Sequence, residues 1–225
     1  MSWKGNATYQ KQETKGGIYK VCLAGRMESG KTTIFQIISG NPINENPSND
    51  FFEYQYDGLG KIVLNDTAGR EHFTSMTIGT YYRGVHVIVF VYDATDQESL
   101  NYIGGELEEL KNRSEFENVQ MILIRNKCDE PPSRIAVTEG DEETFVANRS
   151  NLLGDRLKLR RKVSAKCDPE PIKKLFFEHL HDVIKGKGTT PDNEQFIKLR
   201  EKRSASTKST TNSSEKDDKC PCCIQ

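Results

Sequence analysis

The sequence predicts an α/β fold: a mostly parallel, doubly wound sheet with helices on both faces and one antiparallel hairpin at its edge. Three observations predict it. A strand-like run at Ile18 passes through a glycine loop into a short helix with apolar periodicity. Two continuous apolar runs, "VHVIVFVYD" and "QMILIRN", have the length and composition of strands buried on both faces of a parallel sheet. Helical segments separate these strands, and alternation of strand and helix is the pattern of a doubly wound sheet.

Residues 1–17 are polar and read as a flexible arm. From Ile18, "IYKVCLAG" reads as the first strand, and "KTTIFQIIS" as a helix closed by Gly40. Residues 41–50, rich in Asn and Pro, read as a loop. "FFEYQY" and "KIVLND", joined by "DGLG", give the hairpin. A helix is expected from near Gln97 through "ESLNYIGGELEELKNR", weakened by Gly104 and Gly105, and another over Thr138 to Leu152. "DRLKLRRKVS" supplies the last strand, and "PEPIKKLFFEHLHDVI" a proline-initiated helix with apolar residues at helical spacing. The folded body is therefore expected over 18–185. From 186 to 225, Ser, Thr, Lys and Asp dominate and apolar residues nearly vanish, so a disordered tail is expected.

At 225 residues the chain can bury one substantial core. A net charge of -1 gives no global bias towards nucleic acid. The run from Val85 to Tyr92 is too short to span a bilayer, and the polar N-terminal stretch has no signal-peptide apolar region, so a cytosolic chain is expected. Of the six cysteines, Cys22, Cys128 and Cys167 are scattered and suit reduced, partly buried thiols.

Four motifs carry the chemistry. "GRMESGKT" at 25–32 fits the P-loop pattern between a strand and a helix. Gly25 and Gly30 let backbone N–H groups around Glu28 and Ser29 curl about phosphate oxygens. Lys31 reaches the β and γ phosphates, Thr32 offers a hydroxyl to Mg²⁺, and Thr33 follows at the helix start. "DTAG" at 66–69 puts the Asp66 carboxylate at a strand end, where it can hold Mg²⁺ while the Gly69 N–H senses the γ-phosphate. "NKCD", with Asn126, Lys127 and Asp129, closes a buried strand. The Asp129 carboxylate there can accept from the N1–H and exocyclic amine of guanine, a donor pair that adenine lacks. "SAK", with Ser164, Ala165 and Lys166, follows the next strand and offers backbone N–H groups to the guanine carbonyl. The chain order of these motifs matches a nucleotide crevice at the carboxyl edge of the sheet.

The four motifs in this order resemble the Ras superfamily of small GTPases, over about Tyr19 to Ile184. "YYRG" and "YDATDQES" are similar to the Rab family in particular. The resemblance implies a P-loop G domain that binds GTP and GDP with Mg²⁺, cycles with exchange and activating proteins, engages effectors and serves vesicle traffic. The sequence also departs from the family. Arg70 stands where Rab and Ras proteins usually carry the glutamine that orients the attacking water, so no catalytic residue is assigned with Arg70 in that place. Glu28 replaces a usually small residue, and its charge disfavours phosphate unless it points outward or pairs with Arg26. Between Ile34 and Asp66 there is no threonine for the switch I metal ligand, and Ser48 is the nearest hydroxyl. Asn65 and Glu106 stand near positions where Rab proteins carry tryptophan.

The C-terminal "CCIQ" fits the prenylation pattern at Cys222, and the Cys222–Cys223 pair fits the double-cysteine ends of some Rab proteins. One chain anchors only marginally, so a second lipid on Cys223 or Cys220 is expected, as "EKDDK" is no polybasic patch. Zinc binding by Cys220, Cys222 and Cys223 lacks a fourth ligand nearby. The expected location is the cytoplasmic face of a membrane. The competing reading is a pseudo-GTPase, a nucleotide-stabilised interaction module that does not cycle.

Overall fold

Strand β1 (Gly17–Ala24) lies inside a six-stranded sheet that also contains β2 (Phe51–Tyr56), β3 (Gly60–Asp66), β4 (Val87–Asp93), β5 (Gln120–Asn126) and β6 (Leu157–Lys162), in the order β2-β3-β1-β4-β5-β6. The computed structural model describes residues 17–43, 50–57, 59–67, 82–111 and 113–185. The β2–β3 pair is antiparallel, and every other pair is parallel. This is the mixed sheet with one edge hairpin that the alternation of strands and helices predicts.

Both faces are covered, and strand periodicity divides the core in two. Val87, Val89 and Val91 of β4 pack with Ile122 and Ile124 of β5 on one face, together with Ile34, Phe35 and Ile38 of helix α1 (Lys31–Ser39). Ile88, Phe90 and Tyr92 pack with Met121 and Leu123 on the other, against Leu100, Ile103, Leu107 and Leu110 of helix α2 (Gln97–Lys111). The spacing of those four α2 residues keeps them on one helical stripe.

The glycines of α2 do not stop it, and one of them has a packing reason. A Cβ on Gly104 would lie 2.5 Å from Arg149 Nη2, so glycine admits that guanidinium, which stacks 4.2 Å from the centroid of the Phe145 ring. The helix expected over Thr138 to Leu152 divides at the same residue. Arg149 leaves helical geometry (φ -117, ψ 22) between α3 (Glu139–Asn148) and the single turn α4 (Ser150–Leu153). Thr138 caps α3 with a reciprocal pair of bonds to Asp141, Thr138 Oγ1 accepting from its backbone N–H at 3.2 Å.

The last strand is shorter than "DRLKLRRKVS", because Asp155 and Arg156 lie in the turn 154–156 before β6. The C-terminal helical run starts as α5 (Glu170–Lys174), widens into a π-helical turn over Leu175–His179 and ends as α6 (Leu180–Ile184). Tyr54 of β2 donates its hydroxyl to the Phe176 carbonyl inside that wider turn at 3.1 Å.

Candidate functional site

The motif residues gather at the carboxyl ends of the parallel strands, where doubly wound sheets bind ligands. The P-loop follows β1, Asp66 ends β3, Asp93 ends β4 and Asn126 ends β5, while Ser164 lies just past β6. Beyond that edge the chain turns tightly at two glycines. Gly25 (φ 135) has no room for a Cβ against the Val91 carbonyl, and Gly30 (φ 98) has none against the Asn126 amide.

Within the P-loop, the buried Lys31 ammonium donates to the Gly25 and Arg26 carbonyls, each at 2.7 Å. These bonds hold the cation against the backbone of the loop. Ser29 is buried with its Oγ lacking a hydrogen-bond partner among the described residues, while its carbonyl accepts from Asn126 Nδ2 at 2.9 Å. A buried hydroxyl with no partner among the described residues and a buried ammonium two residues on give the P-loop both a donor and a cation for an oxyanion. Thr33 is half-buried on the next turn position of α1.

Glu28 adopts a left-handed backbone (φ 63) and is exposed. It thus points outward, the first of the two ways its charge can be tolerated. The second does not occur: Arg26 pairs instead with Asp96 at 2.6 Å, tying the P-loop to the start of α2.

At the end of β3, Asp66 is buried and its Oδ2 accepts from Thr32 Oγ1 at 2.7 Å. A hydroxyl and a carboxylate are hard oxygen donors, and this pair fits Mg²⁺. Thr67 anchors the same strand end by donating to the Leu23 carbonyl at 3.0 Å.

The β5 and β6 ends form a second cluster. Asn126 is 2 % exposed and spans the site: Nδ2 reaches Ser29 of the P-loop, and Oδ1 accepts from the Ala165 N–H at 3.0 Å. Lys127 takes a left-handed backbone (φ 61) and its ammonium pairs with Asp93 at 2.7 Å. Asp129 Oδ1 accepts from Ser164 Oγ at 2.6 Å, and Oδ2 from the Cys167 thiol at 3.3 Å. Burial pushes the Asp129 carboxyl pKa upward most strongly. The Ser164 and Cys167 hydrogen bonds and the Lys166 charge outweigh it together and hold the pKa below the usual carboxylate range. The group is an ionised double acceptor at neutral pH. Lys166 is exposed beside it.

Three features escape the motif reading: the Arg26–Asp96 pair, the two-way bridge of Asn126, and the contact of Cys167 with Asp129. Cys22 is buried, with its thiol pushed up to about 12 by burial, and Cys128 is half-buried, but Cys167 is exposed rather than partly buried. Ser48, Gly69, Arg70, Cys220, Cys222 and Cys223 lie outside the described residues. Among the described residues no helix is long and apolar enough to cross a membrane.

The sequence is similar to those of known proteins. Residues 20–183 match the model of the Ras family. The rice (Oryza sativa subsp. japonica) Ras-related protein RIC1 is 46% identical over 79 residues, which cover 35% of this chain and 38% of that protein. Human Ras-related protein Rab-3B is 32% identical over 123 residues, covering 51% of this chain and 55% of that protein. The yeast (Saccharomyces cerevisiae) GTP-binding protein YPT1 is 32% identical over 147 residues, 60% of this chain and 68% of that protein. The aligned parts thus span between about two fifths and two thirds of these relatives. With the family match running from β1 into α6 and its relatives bearing Rab and Ypt names, the chain belongs to the Ras family as a Rab-like small GTPase.

Proposed function

We propose that this protein is a guanine-nucleotide switch that works on membranes, binds effectors when loaded with GTP and hydrolyses GTP slowly. The observation that carries the reading is the Asp129 carboxylate, ionised and held by Ser164 and Cys167 at the mouth of the crevice. Its two oxygens match the N1–H and exocyclic amine of guanine. The Ala165 N–H is engaged by Asn126, so we assign the guanine carbonyl to the Lys166 N–H. Lys31, with the backbone N–H groups around Glu28, Ser29 and Gly30, holds the phosphates. Thr32 and Asp66 hold Mg²⁺, with Ser48 as a further hydroxyl; the ion neutralises phosphate charge when bound. Gly69 senses the γ-phosphate.

The Rab and Ypt names of the relatives support vesicle traffic as the process, with exchange and activating proteins as partners. The cysteine pair Cys222 and Cys223 supports a lipid-anchored protein on a cytoplasmic membrane face, with a cytosolic pool when unlipidated or extracted. Arg70 in place of the usual glutamine, with no threonine between Ile34 and Asp66, favours a second reading, a pseudo-GTPase that keeps one shape whatever nucleotide it holds.

The test begins with the nucleotide carried by purified protein. Asp129→Asn should then weaken GTP and improve xanthosine triphosphate, whose C2 carbonyl suits an amide donor. Equal loss for both nucleotides would remove Asp129 from base recognition. A partner bound equally in GDP and GTP forms would select the second reading.

A further inference from the structure

The guanine-reading carboxylate is gripped by a residue outside the four motifs. Cys167 lies three positions after Ser164, in the turn closed by the Asp168 N–H donating to the Ser164 carbonyl at 2.9 Å. Its thiol donates to Asp129 Oδ2 at 3.3 Å. Its backbone N–H donates to Ser164 Oγ at 3.1 Å, and that same Oγ donates to Asp129 Oδ1 at 2.6 Å. Both carboxylate oxygens are therefore fixed through Cys167, one by its side chain and one through the hydroxyl that its backbone aims.

The geometry points to Cys167 as a positioning residue that sets the rotamer of Asp129 for base recognition. The inference rests on the guanine reading at Asp129. A carboxylate rotates readily about its terminal torsion unless both oxygens are held. Each ionised oxygen can accept more than one hydrogen bond, so Ser164 and Cys167 occupy one lone pair apiece and leave acceptor capacity for two donors of the base. The thiol is a weak donor and Cys167 is exposed, so its removal should cost less than loss of a buried charge-assisted bond. It should loosen aim more than it weakens phosphate binding, because its bonds go to Asp129 and Ser164, whereas the Lys31 ammonium is held by the Gly25 and Arg26 carbonyls.

The experiment compares GDP with inosine diphosphate, which lacks the exocyclic amine and so asks less of Asp129. Cys167→Ala should weaken GDP by about three- to tenfold and inosine diphosphate by less, narrowing the ratio between them. Cys167→Ser, which restores a donor on a shorter side chain, should recover part of that ratio. In an Asp129→Asn background, Cys167→Ala should change GDP affinity little, since the paired acceptor is gone. Thermal unfolding of each variant confirms that it folds. An unchanged ratio in Cys167→Ala, a serine variant indistinguishable from alanine, or a full effect in the Asp129→Asn background would each overturn the positioning role. Wild-type preference for GDP over ADP tests the underlying reading separately. Its absence would remove guanine recognition and this inference with it, whereas a normal preference with an unchanged ratio removes only the role of Cys167.

Discussion

Thr32 Oγ1 donates to Asp66 Oδ2 at 2.7 Å, joining the first turn of α1 to the last residue of β3. Only folding brings these side chains together, because 34 residues separate them. The register places Asp66 opposite Leu23 of β1, next to the strand end from which the P-loop departs. The contact therefore brings the two proposed Mg²⁺ ligands to one place in the fold.

A metal test follows from this pair. Loss of a mere outer-shell partner lowers metal affinity by about 10- to 100-fold, so removing a ligand should cost at least about tenfold. Thr32→Ala should release GDP faster than wild type, and its release should respond little to added EDTA. Wild-type release should accelerate when EDTA removes Mg²⁺. An alanine variant that keeps both slow release and full EDTA sensitivity would show that Thr32 is not a ligand.

Glu106 gives a pH test of stability. This carboxyl is 6 % exposed in α2; its Oε1 accepts from the Tyr82 and Tyr102 hydroxyls, each at 3.3 Å, and its Oε2 has no partner among the described residues. Cys22 of β1 also faces it as an uncharged thiol. Burial pushes its pKa from 4.5 up to about 7, while the two tyrosine bonds and the Lys31 charge pull the other way. A folded pKa above the unfolded one means that the native state binds the extra proton between these values. Its stability contribution is therefore highest below about pH 4.5, falls as pH rises to about 7 and is flat above. At about 1.4 kcal/mol per unit, wild type should lose about 2 to 3 kcal/mol from this group between pH 5 and pH 8. Glu106→Gln cannot ionise, so its stability relative to wild type should rise by that amount over the same range. Denaturant unfolding at several pH values checks this, and parallel pH profiles for the two proteins would refute the assignment.

Most of the sheet was legible because β4 is apolar from Val87 to Tyr92 and β5 from Met121 to Ile124, which is what burial on both faces demands. The division at Arg149 was not, since it depends on stacking against Phe145 and on space over Gly104, contacts between separate elements. The candidate site divides in the same way. Lys31, Asp66, Asn126 and Asp129 were readable from motif spacing. That Asn126 couples Ser29, 97 residues away, to Ala165, 39 residues away, depends on strand order in the finished sheet. Glu106 could be seen in sequence only as a polar residue in an unexpected place, and its proton chemistry comes from the surrounding core.

The C-terminal cysteines lie outside the described residues, so the anchoring test rests on sequence chemistry. One prenyl chain with a mixed-charge tail holds a protein on membranes only marginally. Mass spectrometry of protein from cells should find a prenyl group on Cys222 and a second lipid on Cys223 or Cys220. Replacing Cys222 and Cys223 by serine should move the protein to the soluble fraction. Continued membrane residence of the double variant would defeat lipid anchoring by this pair.

Small GTPases of the Ras type manage only on the order of 10⁻⁴ per second unaided, with a glutamine orienting the attacking water. Arg70 occupies that place in this sequence, also outside the described residues. A glutamine amide both donates and accepts, whereas a guanidinium only donates and cannot take a hydrogen bond from the water. The water therefore loses its acceptor, and single-turnover hydrolysis should be slower than in Rab proteins that carry glutamine. Arg70→Gln should raise it, in part only, because the segment between Ile34 and Asp66 also lacks the usual threonine. An arginine can instead stabilise charge on the transferring phosphate, as an arginine finger does, and the two roles give opposite signs. A wild-type rate equal to that of glutamine-bearing Rab proteins, or a further fall on Arg70→Gln, would overturn the slow switch and assign Arg70 the finger's role.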